Sequence, residues 1–271
     1  MEYCDEILRF TQNDIIKTHL FMMQILIVIF YQPLLNLLIF IYNVVPGHDM
    51  GVAIIIITIL IKLALYPFGT KSIKAQKAMS ELQPKIDALK KEYKDDKQKQ
   101  AQELMKLYKE EKISPFSSCL PLLIQLPFLI AIYQVFRVGL ANGDLSLLYP
   151  FIHSPGTINT LAFGFLDLSK SNWILALLAG AAQFWQAKMF VIKKPAIKSD
   201  GSKDENMMAM MNKQMLYMMP IVTIIIGISL PSGLVLYWLI TTVVTALQQL
   251  ITLRHIKSQK KDPIIEVIPK P

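Results

Sequence analysis

Polar and apolar residues alternate along this chain in blocks long enough to count against a membrane. Five blocks, 51–68, 116–138, 173–192, 214–229 and 234–253, are apolar almost throughout. About 20 apolar residues in a helix cover the hydrocarbon core, so each block predicts a transmembrane helix. Between the first two lies 70–113, dense in Lys, Glu, Asp and Gln. Within it Met79, Leu82, Ile86 and Leu89 recur at helical spacing, as do Leu104, Leu107 and Tyr108. The polar stretch 93–99 separates the two stripes, which predicts a two-helix amphipathic hairpin. Upstream, 20–45 is apolar but interrupted by Gln32-Pro33 and Asn36. That pattern fits a kinked spanning helix or a helix lying at the outer interface, and both readings stay open. Residues 1–18 lack the basic start of a signal peptide and no small-residue cleavage site follows 20–45, so no removed signal is expected. Turn signals mark 46–49, 140–172 and 230–233, and 193–206 reads as a polar loop.

Composition agrees with the pattern: 53% of residues are hydrophobic, 18% are charged, and mean hydropathy is +0.41. Soluble domains carry nearer a quarter charged residues. Fourteen methionines, several of them within 207–219, suit gap-filling or an adaptable apolar surface. Cys4 and Cys119 show no metal-ligand spacing. The net charge of +8 matters less than its placement, since 23 of the 28 Lys and Arg fall in 70–113, 188–213 and 254–271. Positive segments stay on the cytoplasmic side, so the hairpin, the 193–206 loop and the basic tail are expected there. The expected fold class is an all-α polytopic membrane protein. It has an N-terminal segment (1–50) with an interfacial or extra transmembrane helix. A core (51–253) of five transmembrane helices follows, with a cytoplasmic hairpin after the first, and then a cytoplasmic tail (254–271).

The chemistry to explain is Lys62, a cation inside the first span. An ammonium at the bilayer centre costs roughly 2.5–3.5 kcal/mol on insertion scales. Counted from Gly69 along a straight helix, it lies about 10 Å deep at 1.5 Å per residue. Thr58 lies one turn earlier on the same face. Gln183 and Gln186 share a face of the third span, and Trp238, Thr241, Thr245 and Gln248 share one of the fifth. Interhelical hydrogen bonding would account for the threonines alone. With Lys62 added, the set reads as a hydrated groove. Its polar positions fall in the middle or cytoplasmic half of each helix, so the groove opens to the cytoplasm and closes outside. No phosphate-binding glycine loop, metal-ligand cluster or nucleophile–base set occurs, and the secure spans hold no Asp or Glu. The expectation is therefore neither an enzyme nor a pump, with no cofactor and no metal.

Three stretches carry a resemblance. GVAIIIITILIKLALYP, the run from ELQPKIDALKK through PFSSCLPLLIQLPFLIAIYQVF, and LPSGLVLYWLITTVVTALQQLI resemble the bacterial YidC-type membrane protein insertases. The likeness extends over about 32–253 and is similar to the short form of the family, without a large outer domain. It implies five core helices with a cytoplasmic hairpin, and insertion of newly made proteins into the cytoplasmic membrane, alone or beside the SecYEG translocon. It further implies that a cation in the first core helix draws in the acidic tail of a substrate. Lys62 stands where the family has arginine, which keeps the charge and loses the bidentate fork. Trp238 matches an aromatic groove residue, and the hairpin matches a substrate-recruiting element. Implied partners are nascent membrane proteins, membrane lipids, the ribosome and SecYEG, with no DNA and a single copy sufficing. Competing readings are an assembly chaperone without insertion activity and, more remotely, a small-solute transporter.

Overall fold

The computed structural model describes residues 24, 27–114, 120–140, 143, 145–189 and 203–259. Eight α-helices are found among them: α1 (Gln32–Val44), α2 (Met50–Ala64), α3 (Tyr66–Glu92), α4 (Lys97–Glu110), α5 (Leu120–Gln134), α6 (Trp173–Lys188), α7 (Lys203–Ser229) and α8 (Ser232–Gln259). A π-helical turn, Ile27–Tyr31, leads into α1, and another, Val135–Leu140, follows α5. Expectations about residues 1–18, Cys4, Cys119 and the tail beyond 259 lie outside the described residues. So does most of the 193–206 loop; from Lys203 the backbone is already α7.

By length and composition, Ile27–Val44 and Ser232–Ser258 are long and apolar enough to cross a membrane, and Leu216–Ser229 is a shorter apolar helix. Helices α2 and α3 meet that test only together, and they are bent by 68°. This is a helical membrane protein. One minimal exception is an antiparallel ribbon within 140–172, β1 (Leu161–Ala162) paired with β2 (Leu166–Asp167) in the register Leu161↔Asp167.

The first span therefore ends earlier than its apolar run. The run extends to Phe68, but the helix stops at Ala64, and α3 begins with Pro67 in its first turn. Proline has no N–H and its ring clashes with the carbonyl four residues back, so α2 cannot continue through it unbent. Pro33 plays the opposite part, occupying the first turn of α1 where its missing N–H costs nothing.

The chain gathers into two compact units. One comprises 1–57, 122–171 and 230–236. Its core holds Leu35, Leu38 and Ile39 of α1, Ala53 and Ile57 of α2, and Ile132 and Val135. Asn36, 2% exposed, accepts from the Tyr149 N–H at 2.6 Å and donates to the Leu147 carbonyl at 3.0 Å. Asn43 donates to the His153 carbonyl at 2.7 Å, and the Asn159 N–H donates to the Tyr42 hydroxyl at 3.0 Å. The long loop is thus laced along α1. Asn36 does not interrupt an apolar run so much as hold a second segment against it.

The same loop closes the start of α8. The Ser232 and Gly233 N–H groups donate to the carbonyls of Lys170 (2.8 Å) and Leu168 (3.0 Å). These are two of the first-turn donors that a helix cannot satisfy itself. Asp167 braces the turn, accepting from the Ser169 hydroxyl at 2.6 Å and pairing with Lys170 at 3.0 Å.

The other unit comprises 58–121, 172–229 and 237–271. Helix α4 folds back on α3: Gln100 donates to the Lys90 carbonyl at 2.9 Å, and Lys85 pairs with Glu111. Asp96 caps α4 through the Lys99 N–H at 2.9 Å. Helices α6 and α7 approach closely, because α6 buries Ala176, Ala179, Gly180 and Ala182. A Cβ on Gly180 would run into the Ile224 side chain and lie 3.1 Å from the Pro220 carbonyl. Small residues at such a crossing let two membrane helices pack by van der Waals contact.

Candidate functional site

All eight residues singled out from the sequence, Thr58, Lys62, Gln183, Gln186, Trp238, Thr241, Thr245 and Gln248, fall in the second unit. Thr58 is fully buried on α2, and Lys62, one turn later, is half-buried. The bend at Leu65 changes the meaning of Lys62. It stands in the last turn of α2, two residues before the helix ends, rather than deep inside a straight rod. A cation there also meets the negative end of the helix dipole, worth about 0.3–1 kcal/mol at exposed sites.

The glutamines act as ties between helices. The Gln248 side-chain amide donates to the Tyr66 carbonyl at 2.8 Å and to the Thr70 hydroxyl at 3.1 Å. Tyr66 and Thr70 open α3, so α8 is fastened just past the bend. Gly69 makes room, since a Cβ there would lie 2.8 Å from the Gln248 amide. Gln183 on α6 accepts from the Thr223 hydroxyl of α7. That hydroxyl also faces the Met219 carbonyl at 3.0 Å, and its one proton serves one acceptor at a time. Gln186 contributes its backbone carbonyl, which accepts from the Gln249 amide at 3.5 Å.

On α8 the Thr242 and Thr245 hydroxyls donate back to the carbonyls of Trp238 (2.9 Å) and Thr241 (2.7 Å). Three buried oxygens of this helix have no hydrogen-bond partner among the described residues: Thr241 Oγ1, Gln249 Oε1 and Thr252 Oγ1. Leaving such a group unsatisfied costs about 1–3 kcal/mol. Trp238 and Thr245 are half-buried beside them on the same helix.

The pattern therefore brings Gln248 to the start of α3, Gln183 to α7 and Gln186 to Gln249. Sequence reasoning missed Gln249, Thr252, Thr223, Thr70 and Gly69. Gln249 and Thr252 were findable, because with Thr242 and Thr245 they repeat the 0, 3, 7, 10 spacing one helical step from the stripe that was read. Thr223 and Thr70 take their importance from partners distant in the chain and carry no local signal, and Gly69 signals the end of the apolar run but not its closeness to Gln248. Among the described residues no group of His, Cys, Asp or Glu is placed to hold a metal ion.

Comparison with known proteins identifies the family. Residues 40–260 match the family described as 60Kd inner membrane protein. A protein named membrane protein insertase YidC from Fusobacterium nucleatum is 35% identical over 221 residues, which cover 81% of this chain and 94% of that one. Proteins of the same name from Streptomyces avermitilis and Francisella philomiragia are 32% and 37% identical. These alignments cover 77% and 79% of this chain, but the chain spans only about half and a third of those longer relatives (52% and 34%). The chain belongs to the 60Kd inner membrane protein family, the family of the YidC-named insertases.

Proposed function

We propose that this protein is a membrane protein insertase of the bacterial inner membrane. It takes newly made hydrophobic segments from the cytoplasm through a hydrophilic intramembrane groove into the bilayer, without nucleotide hydrolysis. The observation that carries the reading is family membership across residues 40–260, shared with relatives named membrane protein insertase. The proposed architecture is five core transmembrane helices with a cytoplasmic hairpin after the first and a cytoplasmic C-terminus, in line with the placement of Lys and Arg.

In this reading Lys62 draws the acidic flank of a substrate toward the end of α2. Thr58, Gln183, Gln186, Thr241, Thr245 and Gln248 keep the surroundings polar, and Trp238 offers an aromatic wall. The buried polar side chains Thr241, Gln248, Gln249 and Thr252 of α8 support it, because burying polar groups in apolar surroundings is costly. A polar flank held part-way into the bilayer has a shorter apolar crossing to make, and its hydrophobic segment then partitions into lipid. Nascent membrane proteins are the substrates. Ribosome, SecYEG and anionic lipid are the proposed partners of the hairpin and the basic tail, and one copy suffices.

The test is insertion of a single-span substrate with a short acidic tail into vesicles holding only this protein, with no nucleotide. A charge-assisted hydrogen bond contributes about 1.5–3 kcal/mol. Lys62→Ala is therefore expected to slow insertion about tenfold, while Lys62→Arg matches or exceeds the parent. Equal rates for Ala and Arg would remove charge capture from the mechanism. Binding of the substrate without insertion by any variant would favour an assembly chaperone instead.

A further inference from the structure

The loop between α5 and α6 carries a feature that insertion does not use. From Leu145 to Leu166 the sequence contains no Asp, Glu, Lys or Arg. Yet large apolar side chains stand out from it: Phe151 is 80% exposed and Phe165 78%, with Leu161 and Phe163 also exposed. Phe163, Gly164 and Phe165 form the tip of the β1–β2 ribbon, and the Phe163 and Phe165 rings lie 6.3 Å apart.

This tip is fixed in place. The Phe163 N–H donates to Asp49 Oδ2 at 2.5 Å, while Oδ1 of the same carboxylate accepts from the Val52 N–H at 3.0 Å and caps α2. Gly51, in the first turn of α2, lies directly beneath: a Cβ there would be 2.6 Å from Ala162 and 2.8 Å from the Phe163 ring. Phe163 itself holds φ +54, a left-handed conformation rare for a bulky side chain. Such a conformation persists only where the surroundings enforce it. The tip is thus a pair of phenylalanines seated on the first turn of an apolar helix.

We propose that the Phe163-Gly164-Phe165 tip is a lipid-contact wedge, lying in the membrane–water interface of the leaflet where α2 begins. Three features point to lipid as the occupant. Phenylalanine, like leucine and tryptophan, is a side chain that interfacial segments bury at the boundary of headgroups and acyl chains. No formal charge in this segment resists burial. The seat on the first turn of α2 sets the tip at that depth and no other. The proposal rests on α2 entering the membrane and not on the groove, so it can fail while the insertase reading stands.

The experiment uses the full chain with Cys4→Ser and Cys119→Ser, spin-labelled at Phe165→Cys and reconstituted in phosphatidylethanolamine–phosphatidylglycerol vesicles. Accessibility to oxygen, which concentrates in lipid, is compared with accessibility to a water-soluble nickel chelate, using Thr157→Cys as the exposed polar reference. The expected result is an oxygen-to-nickel ratio several-fold higher at 165 than at 157. Adding Gly51→Ala, which unseats the tip, should lower that ratio. A label at 165 as open to nickel as the one at 157 would overturn the proposal. Dipolar broadening between labels on two molecules would overturn it too, by making a second copy the occupant. Should the Gly51→Ala protein not fold, the comparison of 165 with 157 decides alone.

Discussion

Among single residues, the informative ones break a local rule. Lys62 does so visibly, and any reading of the apolar run stops at it. Asp167 does so quietly. The hydroxyl of Ser169 and then the ammonium of Lys170 hold its carboxyl well below the usual range, at about 2 rather than 3.8. A carboxylate whose pKa is depressed by folding stabilises the fold at every pH above its unfolded value. That contribution is lost as pH falls from about 4 towards 2. Thermal unfolding in detergent should therefore be insensitive to this group from neutrality to about pH 4.5 and should decline below. Asp167→Asn should lower stability at neutral pH and flatten the part of the acid decline that Asp167 causes. An unchanged acid limb in the variant would show that the Asp167 turn does not contribute to stability. Asn36 teaches the complementary lesson. From sequence it is a polar interruption in an apolar helix, because nothing nearby announces that its partners are Leu147 and Tyr149. A buried amide tends to be satisfied, but periodicity cannot say by what.

For whole elements, helix type and rough position were legible, and the bends and ties were not. The apolar run 51–68 was readable, as were Pro67 and Gly69 at its end. That the helix would turn through 68° at Leu65 depends on what receives it. The receiver is Gln248, whose amide fastens the Tyr66 carbonyl and the Thr70 hydroxyl while Gly69 leaves it space. Gln248 entered the sequence reading as one of a polar stripe; in the structure its amide is occupied with α3. Removing the donor should loosen the start of α3. In Gln248→Leu the distance between spin labels on α3 and on the exposed end of α8 should broaden or shift, with Gly69→Ala giving the same change by crowding. Two neutral hydrogen bonds contribute about 0.5–1.5 kcal/mol each, enough to redistribute a hinge and not to unfold a chain of this size. A distance distribution identical to the parent in both variants would mean that the proline and the packing of α3 hold the bend unaided.

In the molecule as a whole, each compact unit collects three separated stretches of sequence, and the division falls inside α2, α5 and α8. Hydropathy is a local signal and reports helices rather than which helices share a core, so this partition was beyond it. Charge placement acts at the largest scale and is read from the sequence directly. Of 28 Lys and Arg, 23 occupy three segments, while 140–172 holds one, Lys170. Lysine and arginine near the ends of membrane helices resist transfer outward, and the proposed orientation rests on this distribution. With Cys4 and Cys119 replaced by serine, single cysteines at Gln98 in the first turn of α4, Thr157 in the long loop and Ser258 near the end of α8 report the three regions. In intact cells a membrane-impermeant maleimide should label only the protein with cysteine at 157, and permeabilised cells should show all three. Labelling at 98 or 258 in intact cells would invert the orientation. The hairpin, the tail and the Lys62 end of α2 would then face away from the ribosome, and no cytoplasmic substrate could reach the charge that is proposed to receive it.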